Sequence, residues 1–146
     1  MEALEQYQLG ASTVLDVGTG SGLLSIASAL LGARRVVACD VDPVAVEIAG
    51  AAFQRANVGV LLFTGSVDAI RSGSVDLIVA NISAAAAIEL APEILRCLAR
   101  GGLAVASGFE TPEAAAVEAA IERTGGSVER RWIKGQWCAL IIRRAA

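Results

Sequence analysis

From Val14 to Gly22 the chain reads Val-Leu-Asp-Val-Gly-Thr-Gly-Ser-Gly, an apolar β-branched run cut off by three alternating glycines. Such a run marks a buried parallel strand, and the glycines mark a backbone that must turn sharply where a Cβ would clash. Leu23, Leu24, Ile26, Ala27, Leu30 and Leu31 follow at helical spacing, with no room for a loop between turn and helix. Strand, glycine turn and helix therefore form one unit. The first amides of that helix point back at the turn, so whatever binds there meets bare backbone, hydrogen-bond donors and a partial positive charge.

The same alternation repeats downstream. Strands are expected at 13–17, 35–39, 60–63, 75–80 and 103–107, the fourth apolar on both faces and therefore central. Asp42-Pro43, Ser83 and Thr111-Pro112-Glu113 each offer a capping side chain, two of them with proline at the first helical position. Pro92 should kink or restart the helix that Ser83 opens. Gly101-Gly102 should turn the chain into the fifth strand, and the stretch from Gly65 to Gly73 reads as a loop with one helical turn. Two last strand-like runs, 127–134 and 136–143, are separated by little more than Gly135 and form an antiparallel hairpin. The expected fold is α/β: a Rossmann-like, doubly wound, mostly parallel seven-stranded sheet with helices on both faces and a C-terminal hairpin. Residues 1–10 read as the end of a helix, with Leu4 and Tyr7 on one side.

Composition excludes several chemistries. The 146 residues contain no histidine, which removes Ser-His-Asp, Cys-His and the usual zinc-hydrolase sites. Cys39, Cys97 and Cys138 form no CxxC pair and read as reduced core residues, so no metal site is expected. A net charge of −3 argues against direct nucleic-acid binding. The acidic start lacks signal-peptide order, and no apolar run reaches spanning length, so a cytoplasmic chain without membrane attachment is expected; oligomeric state is left open.

Two cofactor classes use a glycine turn in such a sheet. The dinucleotide fingerprint G-x-G-x-x-G fails here, because Leu23 stands where the third glycine is due. The pattern is instead D-x-G-x-G-x-G, with Asp16 before the turn. A carboxylate there would repel a pyrophosphate but attract the ammonium of a bound amino acid, whose carboxylate the helix amides could take. Asp40, at the end of the second strand, can accept hydrogen bonds from both hydroxyls of a ribose. An amino acid joined to a nucleoside is S-adenosylmethionine.

With these residues the sequence resembles the class I S-adenosylmethionine-dependent methyltransferases. The segments 14–22, Ala38-Cys39-Asp40-Val41-Asp42-Pro43, Val79-Ala80-Asn81-Ile82, Glu89-Leu90-Ala91-Pro92-Glu93 and Gly135-Gln136-Trp137 together narrow the likeness to ribosomal protein methyltransferases of the PrmA type. The resemblance implies methyl transfer to an amino group of a ribosomal protein, a lysine or the N-terminal amine, with S-adenosylhomocysteine as product. It implies that Gly18, Gly20 and Gly22, with Thr19 in the same turn, meet the methionine end, and that Asp16 lies near its ammonium. Asp40 would hold the ribose, Val41 would pack on the adenine, Ser66 and Val67 would line its far edge, and Asp68 would reach its amino group. Asn81 would sit beside the transferring methyl and aim the amine lone pair, since it is no base. Residues 1–146 read as one cofactor-binding domain, without the family's N-terminal substrate-recognition domain and its upstream histidine-bearing segment. Small-molecule N-methylation and a non-catalytic binding module remain open alternatives. Trp132 and Trp137 read as packing residues of the hairpin rather than substrate-stacking groups, and the basic residues there as a solvated sheet edge rather than a ribosome contact.

Overall fold

The computed structural model describes residues 9–144. The helix end expected around Leu4 and Tyr7 lies outside the described residues. Seven strands form one sheet: β1 (Thr13–Val17), β2 (Arg35–Asp40), β3 (Leu61–Thr64), β4 (Val75–Asn81), β5 (Leu98–Glu110), β6 (Gly126–Lys134) and β7 (Trp137–Arg144). Their order is β3-β2-β1-β4-β5-β7-β6. β1 to β5 pair in parallel, whereas β7 pairs antiparallel with both β5 and β6. Four helices, α1 (Leu23–Leu30), α2 (Pro43–Ala56), α3 (Ala84–Cys97) and α4 (Ala114–Arg123), cover it.

The helices divide between the faces because successive strand residues point to opposite sides. Leu15, Ile78, Ala106 and Leu140 join α3 and α4 in the larger core, while Val14, Leu77, Val79, Val105 and Ile141 pack against Leu24 and Ala27 of α1. Ala38 meets Ala49 and Phe53 of α2 in a smaller cluster. Small residues let these helices sit close to the sheet, and replacing a fully buried Leu15 or Ile78 by alanine would cost about 2–5 kcal/mol.

Three local expectations are corrected. α3 runs through Pro92 as one helix and does not restart there. Its apolar stripe of Ala87, Ala91, Ile94 and Leu95 packs on the sheet on both sides of the proline. β5 starts at Leu98 directly after α3, ahead of Gly101-Gly102, because the fully buried Leu98 already pairs with Val75 of β4. Thr111 does not cap α4. A short 3₁₀ turn, Thr111–Glu113, precedes that helix, and the capping bond there runs from the Glu110 amide to Glu113 Oε2 at 2.8 Å. The other two expected caps are formed: Asp42 Oδ1 accepts from the Val44 amide at 2.9 Å and Ser83 Oγ from the Ala86 amide at 3.3 Å.

Candidate functional site

The strand order reverses between β1 and β4, since β1 is followed by β2 on one side and bordered by β4 on the other. The C-terminal ends of the strands at such a switch point leave a crevice, which is where open α/β sheets bind ligands. Asp16 and the glycine turn leave β1 there, Asp40 ends β2, and Asn81 ends β4.

The three glycines serve two purposes. Gly18, Gly20 and Gly22 have φ of 69°, 53° and 81°, all in the left-handed region that side chains avoid. A Cβ on Gly22 would lie 2.6 Å from the Phe53 ring of α2, and one on Gly18 would lie 2.7 Å from Ile82. Those two glycines permit packing. Gly20 has nothing within 4 Å of where a Cβ would be, so its bare backbone faces open space. The amides of Gly18 and Thr19 both donate to the Cys39 carbonyl, at 2.9 and 3.0 Å, tying the turn to β2.

Asp40 completes that tie from its side chain. Oδ2 accepts from the Gly20 amide and Oδ1 from the Asp42 amide, each at 3.0 Å. Both oxygens are therefore fixed in direction, and each keeps a second lone pair for a ligand hydroxyl. Val41 beside it is 73% exposed.

Asp16 behaves differently. It is 1% exposed, and its Oδ2 accepts from Thr19 Oγ1 at 2.8 Å and Ser25 Oγ at 2.6 Å. Burial pushes its pKa above the ordinary 3.8, against the lowering effect of the two hydroxyls. The carboxylate thus sits under the turn rather than on its surface, and the Thr19 hydroxyl is directed inward with it. Contact between Thr19 and a ligand would run through its backbone. Burial also pushes the Cys39 thiol up to about 11, which leaves it unreactive.

The remaining predicted residues divide. Ser66 is half-buried and precedes the 3₁₀ turn Val67–Ala69. Val67 is fully buried in the larger core and offers no surface to the crevice, while Asp68 is exposed. Asn81 is exposed at the end of β4, and its Oδ1 accepts from Ser107 Oγ at 3.4 Å. Asp16, Asp40, Asn81 and the turn are brought to one edge of the sheet as expected. Among the described residues no group of three His, Cys, Asp or Glu could hold a metal ion.

Sequence reasoning missed Ser25, Gly108 and the exposure of Trp137. Ser25 had a signal, because a hydroxyl among apolar helix residues next to a buried carboxylate is a donor for it. Trp137 had none. It is 53% exposed, contrary to its reading as a packing residue, and it lines a cavity of about 440 Å³ with Asn81, Ile82, Ser83 and Gly108. Trp132 is half-buried and lies 5.5 Å from the Arg130 guanidinium in a cation–π contact.

A family model described as ribosomal protein L11 methyltransferase (PrmA) matches residues 1–145. The chain belongs to that family. It is 42% identical over 148 residues to a ribosomal protein L11 methyltransferase of Pelotomaculum thermopropionicum, covering 100% of this chain and 48% of the relative. It is 43% identical to that of Heliobacterium modesticaldum, covering 99% of this chain and 46% of the relative. The chain thus spans about half the length of these curated relatives. A crystal structure of a ribosomal protein L11 methylase from Lactobacillus delbrueckii subsp. bulgaricus superimposes with a TM-score of 0.92 at 30% identity, covering 100% of this chain and 77% of that one. That L11 methylase therefore shares the fold of this chain over its whole length.

Proposed function

We propose that this chain binds S-adenosylmethionine at the glycine turn and transfers its methyl group to an amino group of a ribosomal protein, a lysine or the N-terminal amine. The observation that carries the reading is Asp40, whose two oxygens are oriented by the Gly20 and Asp42 amides beside an open stretch of backbone. The residues fit the molecule: a paired acceptor for two ribose hydroxyls, an exposed Val41 for an adenine face, and unshielded backbone at a helix start for a carboxylate. Membership of the PrmA family supports the same donor and the same class of acceptor. No described helix is long and apolar enough to cross a membrane, which agrees with a cytoplasmic place of work. Residues 1–146 then act as one cofactor-binding domain.

When bound, the cofactor supplies a sulfonium-activated methyl group and leaves as S-adenosylhomocysteine. The protein's part is placement. Gly18, Gly20 and Gly22 let the backbone approach the methionine end. Asp16 holds the turn from below through Thr19 and Ser25 and contributes negative potential near an ammonium. Asp40 takes the ribose, with Val41, Ser66 and Asp68 around the base. Asn81 Oδ1 accepts an N–H of the incoming amine and directs the lone pair toward the methyl, so orientation supplies the rate. A lysine amine, with an ordinary pKa of about 10.4, must first lose a proton, and with no histidine in the chain that proton passes to water.

Calorimetric titration should show saturable binding of S-adenosylmethionine and none of NAD; the reverse would sink the reading. In a methyl-transfer assay on extracted ribosomal proteins, Asn81→Ala should lower the rate about 100-fold with cofactor affinity nearly unchanged. Cofactor binding without transfer by the parent chain would instead identify a binding module.

A further inference from the structure

The acceptor side of the site has its own construction. β5 carries a bulge between Ser107 and Phe109, and Gly108 sits in it with φ 97°. A Cβ at Gly108 would lie 2.6 Å from the Ile82 carbonyl oxygen and 2.7 Å from Asn81 Oδ1. Glycine here is what leaves the Asn81 carboxamide room at the cavity. Opposite, Trp137 pairs with Glu110 of β5 and with Lys134 of β6. The turn just before it is pinned, because the Gln136 carbonyl accepts from the Thr111 amide at 2.8 Å and from Thr111 Oγ1 at 3.1 Å. The hydroxyl that sequence assigned to capping α4 is used to clamp the hairpin tip against the end of β5.

We propose that Trp137 is the specificity wall of the acceptor cavity, against which a flexible aliphatic amine side chain of lysyl type lies as its nitrogen reaches Asn81, and that Thr111 is the residue that positions it. The inference rests on the methyl-transfer reading and deepens it. None of the five lining residues, Asn81, Ile82, Ser83, Gly108 and Trp137, carries a charge. A guanidinium would call for a carboxylate fork and a phosphorylated group for cations, and the cavity lining offers neither. An indole and an isoleucine suit a methylene stem, and one amide oxygen suits one N–H. A charge-free lining also favours the neutral amine, the form that attacks.

The chain has two tryptophans, so Trp132→Phe leaves Trp137 as the sole indole reporter. In that variant, loaded with S-adenosylhomocysteine, N-acetyl-lysine methylamide should change the emission saturably, whereas N-acetyl-norleucine methylamide should act more weakly. This arm needs no turnover. In the assay, Trp137→Ala should raise KM for the ribosomal-protein acceptor at least about tenfold, with calorimetric cofactor affinity within about twofold and Trp137→Phe recovering most of the loss. Thr111→Val, which keeps the shape and removes the hydroxyl, should raise KM about threefold without lowering cofactor affinity. Emission indifferent to the lysine probe while the cofactor binds, or an unchanged KM in Trp137→Ala, overturns the wall and leaves methyl transfer standing. Failure of the parent to bind S-adenosylmethionine overturns the methyl-transfer reading and this inference together.

Discussion

The two halves of the crevice are built in opposite ways. On the β1–β2 side a single short stretch folds onto itself: Asp16 lies buried beneath the turn, four hydroxyl or amide donors converge on the two carboxylates, and Gly22 presses on Phe53. On the β4–β5–β7 side, residues 81, 108 and 137 come from three strands and surround an open cavity without a charge. The first half is part of the core and the second is a surface feature. A site for an invariant small molecule can be locked into the fold, whereas a site for a side chain of another protein must stay accessible.

That contrast predicts where substitutions act. Gly22→Ala should cost about 3 kcal/mol of unfolding free energy, from left-handed strain plus the clash with Phe53, whereas Trp137→Ala should stay within about 1 kcal/mol in the same urea titration. Equal losses would remove the distinction between core and surface halves. Asp40→Ala should weaken S-adenosylmethionine binding about 30-fold by calorimetry, roughly 2 kcal/mol for lost charged hydrogen bonds, and Asp42→Ala about threefold or less. Asp42 should instead show its effect in stability, about 1 kcal/mol for a lost helix cap. Equal effects on affinity would misplace the ribose contact.

The smallest expected effect concerns Asp16. Its folded pKa is raised by burial, so the folded state holds a proton that the unfolded state has already released. The corresponding stabilisation is complete below the ordinary value of 3.8 and is lost as pH rises through the raised folded value. The advantage of the parent over Asp16→Asn should therefore shrink between pH 4 and pH 7 in denaturant midpoints, and a growing advantage would contradict the burial account.

The same division decided what the sequence disclosed. The sheet, the hairpin and the cofactor half were legible because strand, turn and carboxylate stand within one βα unit and its neighbour, where spacing alone fixes geometry. Asp16 was legible as a site residue but not as a buried one, since its donors Thr19 and Ser25 become relevant only when the helix folds back over the strand. Gly108 and Trp137 were illegible. A bulge in β5 and an exposed indole depend on pairing across β5, β7 and β6, and local pattern reads them as strand and packing residues. Thr111 showed a strong capping pattern with the proline after it, yet Glu113 took that role and freed the hydroxyl for Gln136. Local rules named the competing capping groups without ranking them.

The strand order carries a consequence for how the molecule assembles. β7 follows β6 in sequence but lies between β5 and β6 in the sheet. During synthesis, β1 to β5 can pair with each other as they emerge, while β6 has no neighbour until the residues of β7 have left the ribosome. β6 and β7 then pair locally across a two-residue turn, and β7 adds to β5, so this end of the sheet is the last to be completed. The β1–β2 half of the crevice can therefore form before Trp137 joins the sheet, and on the proposed function a nascent chain that holds the methyl donor precedes one that selects the acceptor.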